Sequence, residues 1–422
     1  MDYIRILGLI LDIGEEMIRS GAETHRVEDS LYRLCAAYRF EKCNIWVVPS
    51  NIQATATTPN GDTHTQIRHI RSAGMDFECL DRLNALSRRT CADTPDADAL
   101  ERRLKTVLDE KPLPGWVLYL AGLLAGTGFG VFFNCDFMDV LVAAGASLLV
   151  TLMVRTIGKL EPNPLIFNFL TSFAAELFIL LAVHFGIGHH SGYITIGVIM
   201  LLISGLGATN GVRDLAHLDT LSGVMNISVA LMGAIGIALG IALPMVILRG
   251  WDSGEIMVLN SNVIISLMAS AVAGVGFALW FRVRGKKIIF CAIGSLLTWA
   301  CYLGIFHLYP GTFVATLAAS VAGAFYAQIM ARVHKAPATI FQTVSVIPLI
   351  PGATLYYMMS GFVTGRMDFA LNQGGTFIMT CMGIVLGFMA VEVIGKYIFP
   401  HPHPAAVIQP DRKESEDSVK KE

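Results

Sequence analysis

Charged side chains are scarce in this sequence. Only 15% of its 422 residues are Asp, Glu, Lys or Arg, against about 25% in soluble domains, while 54% are hydrophobic. That shortage excludes a wholly water-soluble chain and, with 40 glycines, points to a polytopic membrane protein. A net charge of -2 leaves no basic surface of the kind nucleic acid requires. The eight cysteines form no C-x-x-C pair and read as unpaired thiols rather than a zinc or redox site. There is no H-E-x-x-H and no phosphate loop, so neither a zinc protease nor a nucleotide enzyme is expected, and no metal or cofactor. Ile203-Ser204-Gly205 has the Ser-Gly of an intramembrane serine protease, but Leu202 stands where G-x-S-G needs its leading glycine. A signal peptide is also missing: Met1–Ser20 is amphipathic and carries Asp2, Arg5, Asp12, Glu15 and Glu16. The N-terminus is therefore expected on the side of synthesis.

What is present begins with a soluble stretch, residues 1–111. Tyr3, Ile6, Leu7, Ile10, Met17 and Ile18 share one helical face that Gly21 ends, and Val27, Leu31, Leu34 and Tyr38 form a second stripe. Asn44–Val48, Ile52–Thr57 and Thr63–Ile70 read as a small meander, with Pro59-Asn-Gly-Asp62 as a turn. A helix near Asp76–Arg88 follows. Thr94-Pro95 reads as the N-cap and first position of the next. This is an α+β domain, closed by Lys111-Pro-Leu-Pro-Gly115.

Ten candidate spans come after it: roughly 115–133, 137–157, 164–186, 192–210, 220–248, 262–281, 287–307, 311–332, 339–364 and 376–398. With the N-terminal domain inside, the inner ends carry Arg155, Lys159, Arg213, Arg282, Arg284, Lys286, Lys287, Arg332, Lys335 and Lys396. The outer ends carry only Arg249 and Arg366. This is the positive-inside pattern, and it implies an inner (plasma) membrane protein with both termini cytoplasmic. Residues 400–422, proline-rich and then charged, read as a disordered cytoplasmic tail.

The membrane part repeats itself. Ala121-Gly-Leu-Leu-Ala-Gly-Thr-Gly-Phe-Gly-Val-Phe-Phe133 matches Ala269-Ser-Ala-Val-Ala-Gly-Val-Gly-Phe-Ala-Leu-Trp-Phe281 at a shift of 148. Ile235-Gly-Ile-Ala-Leu-Gly240 matches Met382-Gly-Ile-Val-Leu-Gly387 at 147, where Gly205 falls on Gly352. Residues 112–250 and 251–399 thus form two repeats of five spans. An odd number of crossings makes the second unit run opposite to the first. Inverted repeats with interrupted helices in matching places are the pattern of secondary transporters.

Both interruptions carry polar groups. At the first, Gly205, Gly207 and Gly211 accompany Thr209, Asn210, Arg213 and Asp214; at the second, Pro351-Gly352 accompanies Gln342, Thr343, Ser345 and Thr354. Freed N–H groups there suit a carboxylate, and Asp214 or Glu176 suits an ammonium group, although Arg213-Asp214 also reads as an interfacial pair. Glu176, midway along an apolar span, costs a few kcal/mol on insertion scales and must face a cavity or partner. It is a candidate proton carrier or a buried structural acid, with Gly323 as its repeat equivalent. Gly122-x-x-x-Gly126-x-x-x-Gly130 reads as close helix packing, Glu392 as structural, and His401-Pro-His-Pro404 as tail.

At Ser20-Gly-Ala-Glu-Thr-His-Arg-Val-Glu-Asp29 the sequence resembles the threonine/serine exporter family, in which G-A-E-T-x-R-V-E opens the second cytoplasmic helix. Val48-Pro-Ser50 and Ala208-Thr-Asn-Gly-Val-Arg-Asp214 extend the resemblance. The family's P-G pair is kept at Pro351-Gly352 but has Ser204 in place of its first proline. The resemblance implies both family modules fused in one chain and proton-driven export of a small polar metabolite, threonine or serine or, as in two-chain relatives, a dicarboxylate of the succinate type. It makes Glu23, Arg26 and Glu28, with Pro351, an interdomain packing element or gate. A gated channel or ligand sensor is the rival class, and a homo-oligomer is compatible with either.

Overall fold

The computed structural model describes residues 2–70, 74–111, 113–202, 205–216, 218–249 and 262–398. The boundary between the two expected repeats at 250/251, Ser204 and the tail from His401 lie outside them. The chain divides into two compact units, one of Met1–Pro112 with Lys335–Thr339 and Ile394–Glu422, the other of Leu113–His334 with Ile340–Val393.

In the first unit, helices α1 (Tyr3–Arg19), α2 (Thr24–Ala37), α3 (Phe77–Asp93) and α4 (Ala97–Leu108) accompany strands β1 (Lys42–Val48), β2 (Asn51–Thr57) and β3 (Thr63–His69). The strands form an antiparallel meander in the order β1-β2-β3, with Ile45 opposite Ala54 and Ala54 opposite Gln66. Alternation puts Ile52, Ala54 and Ala56 of β2 inward, against α1 and α2. Gly14 lies against the Leu31 and Ile52 side chains there. The edge of β1 is closed by a side chain, for the Ile45 N–H donates to the Tyr32 hydroxyl at 3.1 Å.

One sequence expectation fails in this unit. Thr94 does not begin α4; it ends α3 in the left-handed region at φ 38°. The N-cap of α4 is Asp96, whose carboxylate accepts from Ala99 N at 2.7 Å. A carboxylate two residues later outcompeted the Thr-Pro signal.

Among the described residues, α5 (Gly115–Phe132), α6 (Phe137–Thr156), α7 (Pro164–His184), α10 (Thr220–Arg249), α11 (Val263–Trp280), α12 (Lys287–Leu308), α13 (Thr312–His334) and α16 (Met367–Ile398) are eight helices long and apolar enough to cross a membrane, and all but the last residues of α16 lie in the second unit. The other two expected spans are pairs of short helices. One is α8 (Ser191–Ile199) with α9 (Gly205–Ala216); the other is α14 (Ala338–Ser345) and α15 (Gly352–Val363), joined through a 3-10 turn at Ile347–Leu349. The second pair bends by 42° and adds a ninth span if counted as one. Proline explains that bend: Pro348 lies in the 3-10 turn and Pro351 caps α15. Three long helices, a short pair and one very long helix therefore occur in that order twice.

Contacts inside this unit also pair up. A Cβ at Gly128 of α5 would meet the backbone of Ala273 on α11, and one at Gly276 of α11 would meet the backbone of Ala125 on α5. Phe129 meets Phe277 edge-to-face, with ring centroids 5.8 Å apart. At a shift of 148 the Gly128–Ala273 contact maps onto the Gly276–Ala125 contact and Phe129 maps onto Phe277. Elsewhere, Gly126 faces Ser147 as Gly274 faces Ser295, and Gly240 faces Ser172 as Gly387 faces Ser320. Small residues let backbones approach where water-driven burial is absent.

Candidate functional site

Glu176 is 1% exposed. α7 carries it about 12 Å from the His184 end at 1.5 Å per residue, on the buried face with Asn168, Thr171 and Ser172. The Thr195 hydroxyl of α8 donates to its Oε2 at 2.7 Å. Tyr356 of α15, also buried, lies close enough for the Glu176 charge to act on its hydroxyl. One acid thus bonds the first half of one interrupted helix and acts electrostatically on the second half of the other. Neither partner was visible in the sequence, because Thr195 lies on the next helix, across a turn whose geometry the sequence does not give, and Tyr356 lies 180 residues further along.

The segments beyond the breaks rest on α10. Gly211 of α9 packs closely on Gly223 and Ile227. Leu355 and Met359 of α15 form a buried cluster with Ala234 and Ala238. Thr209, buried on α9, hydrogen-bonds with the Cys381 thiol of α16. Asn210 is half-buried. Arg213 and Asp214 are 8% and 9% exposed, and Asp214 accepts from Asn226 Nδ2 at 2.9 Å.

At the second break Gln342 and Ser345 are buried on α14. The Ser345 hydroxyl, packed on Gly294, has no hydrogen-bond partner among the described residues, and neither does that of Thr171. Buried hydroxyls in that state call for an explanation such as a ligand or water. The Thr354 hydroxyl is committed locally to Pro351 O at 2.9 Å. Gly205 and Gly352 begin α9 and α15, so the N-terminus of each second half lies at its break.

Two family models match this chain. "Putative threonine/serine exporter" covers residues 8–248, and "Threonine/Serine exporter, ThrE" covers 266–394. The chain belongs to the threonine/serine exporter family. It is similar to a "Probable threonine/serine exporter" of Mycobacterium tuberculosis (strain ATCC 25618 / H37Rv), at 20% identity over 405 residues, 91% of this chain and 76% of that one. No solved structure matches it.

The exporter motif at Ser20–Asp29 opens α2. Glu23 accepts from Arg26 Nε and from the Thr339 hydroxyl, each at 3.1 Å, and Arg88 donates to Lys335 O at 2.7 Å. Lys335–Thr339 belongs to the first unit, so the motif holds the residues that lead into α14. Glu28 lies near the Tyr32 phenol.

Burial on α7 at 168, 171, 172, 175, 176 and 179 recurs on α13 at 316, 319, 320, 323, 324 and 327. Ser172 and Ser320, 148 residues apart, each also bond a carbonyl of the long fifth helix of their half, Ile237 O at 3.3 Å and Gly383 O at 3.1 Å. The shift is 148, and Ala324 rather than Gly323 is the counterpart of Glu176.

A second polar cluster escaped the sequence reading. Asp136 and Asp139 cap α6 reciprocally. The Asp139 Oδ1 accepts from the backbone of His189 and His190, at 2.8 and 3.1 Å. His189 Nδ1 meets Asp136 at 2.5 Å and His190 Nδ1 meets Asp139 at 2.8 Å. The hydrogen bond with Asp136 raises His189 above its usual 6.5. The Asp139 N–H, with His189, holds Asp136 below its usual 3.8. Asp136, Asp139 and His189 are the one group of metal-ligating spacing among the described residues. Both carboxylates already accept N–H groups, and the geometry is that of a latch between α6 and the start of α8.

Proposed function

We propose that this chain is a secondary active exporter of threonine- and serine-type amino acids that works by proton antiport in the plasma membrane. The observation that carries this reading is Glu176, a carboxylate buried within an apolar helix and hydrogen-bonded to an interrupted one. A carboxylate in that setting is a proton-relay candidate by default. Membership of an exporter family supplies the substrate class.

The reciprocal α5–α11 contact supports ten crossings as two inverted repeats, 112–250 and 251–399, related by a two-fold axis through Phe129 and Phe277. The N-terminal domain, 1–111, and the tail, 400–422, then lie in the cytoplasm by the distribution of Lys and Arg. The substrate site is assigned to the two breaks: the helix starts at Gly205 and Gly352 for the carboxylate, Thr209, Asn210, Gln342, Ser345 and Thr354 for hydroxyl and amide contacts, and Arg213 with Asp214 for the charged ends. Glu23, Arg26 and Glu28 act as an interdomain gate upstream of Pro351.

Efflux from proteoliposomes loaded with threonine, serine or succinate, with an imposed pH gradient, tests this. Saturable threonine or serine flux that counter-substrate stimulates supports an antiporter. Conductance indifferent to counter-substrate identifies a channel, and succinate flux alone identifies a dicarboxylate exporter. Wild-type pH dependence in Glu176→Gln removes the coupling role.

A further inference from the structure

The contacts of α8 are unequal in kind. Ile194, Ile196, Val198 and Ile199 are buried and apolar, and Gly197 packs so closely on Gly130 of α5 that a Cβ would lie 2.7 Å from its N. Within Ile194–Ile199 the one polar side chain is Thr195, and its hydroxyl donates to Glu176. Thr195 sits one turn before Ile199, where α8 ends and the break begins. Apart from this bond, α8 meets its neighbours there through contacts that protonation does not alter.

We propose that Thr195 is the positioning residue through which the protonation of Glu176 controls the packing of α8, and hence the first break. The proposal rests on the reading of Glu176 as the coupling acid. When Glu176 is ionised, the bond from Thr195 is charge-assisted and about twice as strong as a neutral one. When Glu176 takes up a proton, the acceptor is a neutral carboxyl and the tether slackens. Among the ionisable groups of the neighbouring elements, Tyr356 acts from α15, Tyr119 is on α5, Tyr193 is on α8 itself and Arg213 and Asp214 are on α9 beyond the break, while α6 between Asp139 and Arg155 and α10 before Arg249 carry none. Thr195 is therefore the group on α8 able to report that proton to the break.

The experiment compares wild type, Thr195→Ser, Thr195→Val, Glu176→Gln and the Thr195→Val/Glu176→Gln double variant in proteoliposome threonine efflux across pH. Thr195→Val loses a donor to the carboxylate, and its flux–pH profile shifts alkaline by about one unit, tenfold in the protonation equilibrium. Thr195→Ser restores the wild-type midpoint. Glu176→Gln flattens the profile, and on that background Thr195→Val changes nothing further. An unshifted Thr195→Val midpoint beside a flat Glu176→Gln profile overturns the tether alone. A wild-type profile in Glu176→Gln overturns the parent reading and the tether with it. If Thr195→Val does not support flux, the carboxyl C=O infrared band that Glu176→Gln abolishes is titrated in purified Thr195→Val and Thr195→Ser. An equal midpoint in those two refutes the proposal.

Discussion

The crossing of α5 and α11 gives the sharpest quantitative test of the fold. A Cβ added at Gly128 would lie 2.8 Å from Ala273 N, 3.0 Å from its Cα and 3.1 Å from its Cβ. Comfortable contact needs about 3.5–4.0 Å, so the helices must part by roughly 0.7–1 Å. No rotamer can absorb that, because the obstacles are backbone and Cβ. Overpacking of this sort costs about 1–3 kcal/mol, offset by about 0.8–1 kcal/mol of helix propensity, which leaves Gly128→Ala destabilised by about 0–2 kcal/mol and about 1–3 kcal/mol below an unobstructed Gly→Ala change. Gly276→Ala should behave alike, since it meets Ala125 in the same way. Gly304→Ala is the control: Gly304 is exposed on α12 with nothing within 4 Å, and propensity alone makes it neutral or slightly stabilising. Once one substitution has separated the helices the second costs less. The double variant should therefore fall short of additivity by about 0.5 kcal/mol or more. Denaturant midpoints of the purified full chain in detergent measure all four variants. Gly128→Ala as stable as Gly304→Ala, or strict additivity with Gly276→Ala, would refute the reciprocal contact.

Three further outcomes follow from local geometry. The raised His189 contributes its stability fully below pH 6.5 and loses it as pH rises through the raised value, while the lowered Asp136 contributes fully above pH 3.8 and loses it as pH falls through the lowered value. Amide exchange at residues 185–190 should therefore be slowest between those limits, and His189→Gln should remove the loss of protection on the alkaline side. Tyr32→Phe orphans the Ile45 N–H and should destabilise the first unit by about 1–3 kcal/mol, seen as faster exchange along β1 in the full chain. Asp96→Ala should cost about 1 kcal/mol, whereas Thr94→Gly relieves a left-handed threonine and should gain about 1 kcal/mol. Equal signs for these two would contradict the observed cap.

The sequence carried the periodic features well and the convergent ones poorly. The stripe through Ile6, Leu7 and Ile10, the β-branched alternation at 52–57 and the breaks at Gly205 and Pro351 are local signals, and each appears within a few residues of its expected place. The repeat was legible because small residues are required wherever two backbones meet, as at Gly128 and Gly276. Thr195, Tyr356, Cys381 and Asn226 were missed because nothing in their own neighbourhoods marks them. A threonine among isoleucines on α8 reads as β-branched filler until the fold brings Glu176 to it. The His189–Asp136 latch failed to show for the same reason, with 53 residues between its partners.

The two halves repeat in sequence and in the order of their helices, but the acid stands in one of them. At the shift of 147 that pairs Gly205 with Gly352, Thr195 falls on Gln342, while the counterpart of Glu176 is Ala324. Both interrupted helices thus have a polar group in the turns before the break, and on α8 that group is held by a carboxylate of the neighbouring apolar helix. On the antiport reading, protonation acts directly on one of two otherwise comparable elements. The size of that action is bounded: exchanging a charge-assisted bond for a neutral one is worth about 1–1.5 kcal/mol, near tenfold. Carrying a two-state element from 1:99 to 99:1 takes about 5.5 kcal/mol. The bond from Thr195 alone does not throw the switch, and the remaining 4 kcal/mol or so must come from other contacts that differ between the two states. On that reading proton and substrate cross on opposite strokes, so the gradient leaks only if the ionised, empty chain changes state, and the charge-assisted bond from Thr195 to Glu176 is strongest in that form and resists it.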